Sequence, residues 1–455
     1  MASLEQPDTG ERSSARRVRS HFVGLGITEL CERFAFAGVK SMLTLLLIST
    51  VLLPDANVAG LAGLEQIFEQ SAEQHAVSFA SLIYGLSSAL VYLCIPAGGL
   101  LGDLLIGRRA SVLTGGACVI AGLLLMISLQ GFLFGLLLFA AGTGLLKSNL
   151  SVQFGALFAD EDLRRRGYSY YLAFLNAGVI CGPLLMGAIA MTSGWRPALA
   201  TAAAVVAVGL AVYMRLPRSV PDRPARTSGA EIAGESAIPE SGSSGAIAQF
   251  AAAMLAVYLC FAAYGQISNI VLVWTQQRVD LSVGQWTLPP GWILALDGAF
   301  TILLVFASQA LFRALRRRGL AIGALTQIML GCLCCAGGYL VLALAEWTGE
   351  ATLSLGWVVG YLLLVDLGIV LVWPSGLSLA TELAPRRQTG MWAGLFYLHG
   401  FFASLWVGFA GSLFETMETP SFWVLHAALA CAGAAVTFFP GARVRPIDQA
   451  ITTSA

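Results

Sequence analysis

The chain has 455 residues, of which 57% are hydrophobic and only 11% charged, and its mean hydropathy is +0.76. Soluble domains carry roughly a quarter charged residues, so this composition excludes an ordinary soluble fold and predicts a polytopic membrane protein. Acidic and basic residues balance at 26 each, which gives no reason to expect a nucleic-acid partner.

Twelve apolar segments follow a polar N-terminal tail, residues 1–21. A helix needs about 20 apolar residues to cross a bilayer core. A polar break at 217–245, rich in Pro, Ser and Gly, predicts a cytoplasmic linker between two six-helix halves, 22–216 and 246–440, and 441–455 forms a C-terminal tail. The predicted spans are 22–53, 76–101, 111–130, 132–158, 168–192, 196–216, 246–274, 290–313, 320–346, 352–382, 390–416 and 420–440.

The positions of Lys and Arg predict the orientation of these spans. Of the 26, 21 lie in the two tails and in every second loop, and the opposite loops hold only Arg196 and Arg278. Cytoplasmic loops carry the excess of positive charge, so we expect both termini in the cytoplasm and a multi-pass protein of the plasma (inner) membrane. The remaining three, Arg33, Lys40 and Lys147, lie at predicted membrane depth.

The first span contains four charges within a dozen residues. Glu29, Glu32, Arg33, Phe36 and Lys40 share one face of a helix. An unpaired charge at mid-bilayer costs about 2.5–3.5 kcal/mol, so this face points to the protein interior or to a watery cavity. Two interpretations stay open: a structural ion-pair network, or carboxylates that take up and release protons beside cations.

Lys147 in the predicted fourth span and Lys40 are the only lysines of the chain. Lysine can lose its proton when it is desolvated, whereas arginine effectively cannot. Their use at membrane depth, with arginine at every cytoplasmic anchor, indicates a different task there. A pair between Lys147 and Glu32 across two spans would satisfy both charges.

The sequence shows little sign of disulfide bonds, a metal site, a catalytic site or a channel. All nine Cys lie in apolar segments, where a free Cys behaves as a small hydrophobic residue, and the four His have no metal-ligand spacing. We therefore expect no disulfide framework, no metal and no cofactor. An enzyme would need a catalytic motif such as HExxH or GxSxG, and a channel would usually show rings of polar residues.

Two short basic loops occupy equivalent places in the two halves. They read "GDLLIGRR" at 102–109 and "RALRRRG" at 313–319, each after the second span of its half. Either loop alone could simply set topology. Together with six plus six helices they resemble the major facilitator fold, in which two repeats rock around a midplane site. We therefore expect an all-α polytopic membrane protein with 12 transmembrane helices in two six-helix halves.

Several motifs, in order along the chain, resemble the proton-dependent oligopeptide transporter (POT) family of the major facilitator superfamily. "ELCERF" at 29–34 matches the Glu-x-x-Glu-Arg-Phe motif of that family's first span, and Gly38 and Lys40 match its glycine and second basic position. Further similar stretches are "AGGLLGDLLIGRR", "GTGLLKSN" at 142–149, "GYSYYLAFLNAGVICGPL" at 167–184 and "PSGLSLATELAPRRQTG" at 374–390.

The resemblance implies roles for the matching positions. Glu29, Glu32 and Arg33 would form a proton-responsive cluster, and Lys147 would face it and help to bind a substrate carboxylate. Lys40 would help to bind the peptide and to form the gate on the outer side of the transporter. Asn176 would line the substrate pocket.

The chain departs from the family at the positions expected to be acidic. Tyr264 and Gly265 stand where the seventh span should carry an acid. Ile369 replaces the tenth-span glutamate that usually holds the amino group of the peptide, and Phe36 and Ala37 replace two tyrosines. The acidic side chain that usually binds the free amino terminus of the peptide is therefore missing.

Two other acids at membrane depth could compensate for this loss. Asp366 lies one turn from the replaced position, and Asp297 falls where the family has a pocket asparagine. Either could receive an ammonium group or balance Lys40, and the sequence leaves this choice open. Trp373, Tyr264 and Gln266 are candidate pocket walls, with plain packing as the alternative.

These observations favour a transporter. The first hypothesis is proton-coupled symport of di- or tripeptides or peptide-like small molecules by a monomer in the lipid bilayer. The alternative is a proton-driven exporter of a modified peptide-like metabolite on the same fold.

Overall fold

The computed structural model of the protein describes residues 9–157, 161–217, 244–320, 322–383 and 389–438. The described residues are mostly helical, and one short hairpin is their only sheet. The elements are α1 Thr9–Lys40, α2 Leu43–Leu46, α3 Leu61–Phe68, α4 Ala76–Leu101, α5 Arg108–Met126, α6 Phe132–Gly155, α7 Glu161–Ser193, α8 Trp195–Met214, α9 Ser244–Tyr264, α10 Ile270–Arg278, β1 Ser282–Val283, β2 Trp286–Thr287, α11 Trp292–Arg317, α12 Ala324–Trp347, α13 Leu355–Leu383, α14 Thr389–Ser412 and α15 Thr419–Val436.

The predicted fold class is confirmed. In the described part of the chain, eleven helices are long and apolar enough to cross a membrane, and the bent pair of α1 and α2 makes a twelfth span. A helix satisfies its own backbone hydrogen bonds, which hydrocarbon cannot do, so a chain this apolar folds as helices of this length.

The first span is broken, whereas the sequence predicts it as continuous over 22–53. Ser20–Lys40 and Leu43–Val51 meet at 47°. The hydroxyl of Ser41 donates a hydrogen bond to the carbonyl of Gly38 at 2.7 Å, and the amide of Met42 bonds Val39 instead, at 3.1 Å. This local competition for a carbonyl ends the regular ladder, and a π-helical turn at Leu47–Val51 follows.

The seventh span is interrupted as well, although the sequence predicts one helix over 246–274. α9 ends at Tyr264, a 3₁₀ turn covers Gly265–Ser268, and α10 begins at Ile270. The span thus consists of a long helix, a 3₁₀ turn and a short helix. Glycine and two amide-bearing residues at the break explain the loss of regular helix.

The chain divides into two compact units, each with its own helix packing. The first comprises Met1–Leu46, Asp55–Ile67 and Leu93–Arg226, and the second comprises Leu47–Pro54, Phe68–Tyr92 and Thr227–Ala455. The second unit includes most of α4 because Gly85 packs directly on Gly408 of α14: a Cβ at Gly85 would lie 2.5 Å from the Cα of Gly408. The predicted domain boundaries stay a prediction, and most of the predicted linker and both ends lie outside the described residues.

Each unit contains a pair of helices that meet through glycine. In the first unit, a Cβ on Gly122 of α5 would lie 2.6 Å from the carbonyl oxygen of Gly135 on α6. In the second unit, a Cβ on Gly331 of α12 would lie at the same distance from the carbonyl oxygen of Gly368 on α13. Small residues allow this approach where no hydrophobic force drives helices together, and both contacts hold helices that carry candidate site residues.

Candidate functional site

The charged stripe of α1 is buried inside the first unit. Glu29 and Glu32 are each 1% exposed and Arg33 is 4% exposed. The three side chains therefore face protein, as the cost of a charge in lipid requires. The predicted burial of this stripe agrees with the structure.

Arg33 binds both acids. Its Nε and Nη2 donate to the two carboxylate oxygens of Glu32, at 2.5 and 2.7 Å, and its Nε lies 3.5 Å from Oε1 of Glu29. Two parallel bonds between guanidinium and carboxylate make a strong and directional pair. One arginine therefore bridges two carboxylates, and the second oxygen of Glu29 has no hydrogen-bond partner among the described residues.

Tyr171 of α7 completes this cluster, and sequence reasoning missed it. Its hydroxyl lies within hydrogen-bonding range of the Glu29 carboxylate. Its ring packs against Phe154 of α6, with ring centroids 4.3 Å apart, in a buried apolar core. A signal was present, because Tyr171 and Gly178 are seven residues apart and share one helix face.

Glycines on α7 bring this helix against the charged stripe. A Cβ on Gly178 would lie 2.5 Å from the carbonyl oxygen of Leu30 and 2.8 Å from Cβ of Arg33. Gly182, four residues later, meets the backbone of α1 at Phe34 and Gly38. This pattern is the close-approach motif of membrane helices, and it positions the cluster. Asn176, the predicted pocket residue, lies on the same helix and is half-buried.

Lys147 of α6 lies close to the cluster but does not form the predicted pair. It is half-buried and within electrostatic range of Glu29, Glu32 and Arg33. Among the described residues, no contact of 4.0 Å or less joins it to Glu32, whose two oxygens are occupied by Arg33. The predicted direct pair is therefore absent in this conformation, although the predicted proximity is present.

The position of Lys147 is fixed by contacts of α6 with α4 inside the first unit. Asn149, two residues on, donates a hydrogen bond to the carbonyl of Gly98 at 2.8 Å. A Cβ on Gly98 would lie 2.6 Å from the Cα of Leu145. The stretch "GTGLLKSN" therefore holds its helix tightly against a neighbour, on either side of the lysine.

Phe36 lies between two cations of α1. The guanidinium carbon of Arg33 is 4.7 Å from the centre of the Phe36 ring, and Nζ of Lys40 is 5.5 Å from it. The face of an aromatic ring attracts cations at such distances. Phenylalanine at this position, where the resemblance predicts tyrosine, thus still stabilises the two basic residues.

In the second unit, two of the predicted acids come together. Tyr264 of α9 donates a hydrogen bond to Asp297 Oδ1 of α11 at 2.9 Å. Asp366 of α13, a helix that packs against α11, is fully buried and lies close enough to the Asp297 carboxyl group to interact with it. The two candidate acids therefore form one site, whereas the sequence treated them as alternatives. Ile369 is half-buried one turn from Asp366.

Gln266 is a structural residue in this conformation. It is fully buried, its amide nitrogen donates to the carbonyl of Val407 on α14 at 3.1 Å, and its oxygen accepts from Asn269. Both of its polar ends are thus used to hold the broken seventh span, which leaves its predicted contact with substrate unsupported. Trp373 is half-buried, with ring centroids 6.4 Å from Phe396 and Tyr397.

These features define a class of protein: a polytopic helical membrane protein whose first unit contains two buried carboxylates that are bridged by an arginine and lie near a lysine. Proteins of this kind use charges at membrane depth to move ions or solutes. The sequence model of the Major Facilitator Superfamily matches residues 33–408, and the chain belongs to this superfamily.

Similar proteins confirm the predicted resemblance. The peptide transporter YePEPT of Yersinia enterocolitica is 26% identical and covers 85% of this chain and 86% of its own length. Dipeptide and tripeptide permease A of Salmonella typhimurium is 23% identical over 86% of this chain and 83% of its own length.

Solved structures agree on the fold. A POT family transporter in complex with 5-aminolevulinic acid has a TM-score of 0.77, is 17% identical, and covers 93% of this chain and 96% of its own. A mutant of a peptide transporter POT in complex with alafosfalin has a TM-score of 0.75 and is 22% identical, with 91% and 93% coverage.

Proposed function

We propose that this protein is a secondary active transporter that carries di- or tripeptides, or peptide-like small molecules, together with protons by alternating access. One observation carries the proposal: the buried bridge of Glu32, Arg33 and Glu29 beside Lys147. No cofactor enters this scheme, because the proton gradient supplies the driving force.

The bridge gives proton binding a structural consequence. Both oxygens of Glu32 accept hydrogen bonds from Arg33, so a proton on Glu32 would displace one of these bonds. The released guanidinium would then favour Glu29, which is already within 3.5 Å. Such an exchange of partners inside one unit is a means by which protonation could bias a conformational change.

The substrate class is supported by the names of the relatives and by the cations. Two relatives are named for peptides, and solved neighbours hold alafosfalin and 5-aminolevulinic acid. As the resemblance implies, Lys147 and Lys40 would bind a substrate carboxylate. We assign Asn176 to the binding region on the same basis. Asp297 and Asp366 are assigned to it as the acids that could compensate for the missing family acids, and Trp373 as a pocket wall. The relatives are transporters, so transport is preferred over catalysis.

Export remains the second candidate function. The observation that favours it is Ile369 at the position expected to hold the amino group of a peptide, since cargo modified at that group would need no acid there. We place the protein in the plasma (inner) membrane as a monomer, with both termini in the cytoplasm, because Arg residues dominate the loops on that side.

Transport in vesicles under an imposed pH gradient tests the proposal. Purified protein would be reconstituted and offered a panel of radiolabelled peptides that includes amine-blocked members. Symport predicts accumulation when the outside is acidic, and proton-driven export predicts accumulation when the inside is acidic. Transport that ignores the pH gradient for every member of the panel would contradict both.

A further inference from the structure

Asp297 and Asp366 form a pair of carboxyl groups deep in the second unit. α11 carries Asp297 and α13 carries Asp366, these two helices pack against each other, and the two carboxyl groups lie close enough to interact. Asp366 is 0% exposed. Two ionised carboxylates repel at such a separation, so the pair is most stable when a proton lies between them.

The hydrogen-bond donors around Asp366 are already used. Neither of its oxygens has a partner among the described residues. The hydroxyl of Tyr264 donates to Asp297, that of Tyr361 donates to Tyr339, and that of Tyr339 donates to the carbonyl of Ala263. The helices packed against α13 also carry Cys260 of α9, Cys335 of α12 and His399 of α14, whose Nδ1 bonds the carbonyl of Phe396. Further titratable groups on these helices are Tyr258, Arg313, Arg316, Arg317, Cys332, Cys334, Glu346 and Tyr397.

The chemistry of the two groups then decides the protonation state. An ionised carboxylate accepts hydrogen bonds and cannot donate one, so two of them cannot bond each other. A buried carboxylate without a donor is strongly disfavoured and takes up a proton instead. Asp366 has no donor and full burial, whereas Asp297 has the Tyr264 hydroxyl and is half-buried.

We propose that Asp366 is a protonated carboxylic acid that donates a hydrogen bond to the Asp297 carboxylate, so that the second unit contains a proton-binding site of its own. This site is separate from the Glu29, Glu32 and Arg33 cluster of the first unit. Its use in coupling rests on the proposed transport function; its existence does not.

Infrared difference spectroscopy of the purified full-length protein tests the site without any substrate. A protonated carboxyl group has a carbonyl stretching band that ionised carboxylates lack, and this band shifts in heavy water. We expect the band in the wild type at neutral pH and its loss in Asp366→Asn, whose amide can still donate to Asp297. Asp297→Asn should keep the band at a shifted position.

Asp280 supplies the matched control. It lies in an exposed loop, and a hydrogen bond from the Ser282 hydroxyl, with one from the Ser282 backbone amide, holds the pKa of its carboxyl below the usual range. Asp280→Asn should therefore leave the band unchanged. A wild-type spectrum without the band, or a band unaffected by Asp366→Asn, would overturn the proposal. If Asp366→Asn does not fold, loss of the band in Asp297→Asn would also overturn it, because the proton would then belong to Asp297.

A transport measurement separates this site from the proposed function. The ratio of protons to substrate would be measured in vesicles for the wild type, Asp366→Asn and Asp280→Asn. We expect a lower ratio in Asp366→Asn only. An unchanged ratio would refute a role in coupling while the spectrum still decides the site, and a wild type that carries no protons would refute the proposed function alone.

Discussion

Arg33 binds Glu32, its neighbour in the chain, through two hydrogen bonds of 2.5 and 2.7 Å, and leaves Glu29 at 3.5 Å. Adjacent residues point about 100° apart around a helix, so a paired contact between them requires the long arginine side chain to fold back. A proton on Glu32 would displace one of these two hydrogen bonds. The arrangement therefore makes Glu32, rather than Glu29, the carboxylate whose protonation would most alter the contacts of Arg33.

We predict that Glu32→Gln abolishes accumulation driven by a pH gradient but retains counterflow exchange of substrate. Glutamine keeps the shape of the side chain, and one amide oxygen can still accept from Arg33, but it cannot carry the proton. Accumulation should fall at least ~tenfold, a difference of about 1.4 kcal/mol. Both activities would be measured in the same vesicles.

Glu65→Gln is the control for this change. Glu65 lies on the short helix α3, away from the cluster in sequence, and its replacement should have almost no effect. Accumulation by Glu32→Gln at the wild-type level would remove Glu32 from the coupling mechanism.

Lys147→Arg should impair transport although it preserves the charge. The side chain is within electrostatic range of Arg33, and a second guanidinium cannot lose its proton and is bulkier than an ammonium group. We expect a loss of at least ~tenfold in uptake rate, equivalent to about 1.4 kcal/mol in the barrier. Initial rates at saturating and low peptide would show whether binding or turnover fails.

An unchanged uptake rate in Lys147→Arg would indicate that Lys147 serves only as a structural counter-ion. The amount of folded protein, measured by size-exclusion chromatography, controls for loss of structure. In Lys147→Arg, that amount should equal the wild-type amount.

Gly178→Ala should destabilise the first unit. The new Cβ would meet the backbone oxygen of Leu30 at 2.5 Å, and a backbone group cannot move aside as a flexible side chain can. Overpacking of this kind costs about 1–3 kcal/mol. Thermal unfolding in detergent should therefore shift to lower temperature, and uptake should fall because α7 would move away from Arg33.

Gly63→Ala is the matched control for this substitution. Gly63 lies on α3, and a Cβ there would meet nothing within 4 Å. Alanine is also the better helix former, so stability should stay equal or rise slightly. A Gly178→Ala variant as stable as the wild type would contradict the prediction, because it would show that α1 and α7 can move apart without a loss of stability.

Much of the fold could be predicted from the sequence, for a simple physical reason. Spans of about 20 apolar residues must be helices in a bilayer, and length and hydropathy identify them. The break after Lys40 could not be predicted in this way. The break arises because the Ser41 hydroxyl donates a hydrogen bond to the carbonyl of Gly38, and hydropathy carries no information on that bond.

The sequence predicted which residues belong to the candidate site better than it predicted the contacts between them. Helical spacing identified the stripe that contains Glu29, Glu32 and Arg33, because periodicity reports which face a residue occupies. It does not report side-chain torsions, so the sequence paired Glu32 with Lys147, whereas Arg33 occupies both of its oxygens. Contacts between distant helices, such as that of Tyr171 with Glu29, need the fold itself.

The last prediction concerns the substrate: we expect cargo with a carboxylate and a blocked, modified or absent amino terminus. Lys40 and Lys147 supply positive charge, while Ile369 occupies the place where the resemblance expects an acid. Asp366 lies one turn away, but it is fully buried against Asp297 and is not available to receive an ammonium group without breaking that pair. An ammonium group left without a partner would cost about 1–3 kcal/mol, which corresponds to roughly ten- to hundredfold in affinity.

Competition for uptake between a dipeptide and its N-acetyl form measures this preference. The acetylated form should compete at least as well as the free peptide, because the free amine meets an apolar side chain. A free peptide that competes tenfold better or more would contradict the prediction and would require an acid for its amine. Asp366→Asn and Asp297→Asn would then identify that acid, since only the loss of the correct carboxyl group removes the advantage of the free amine.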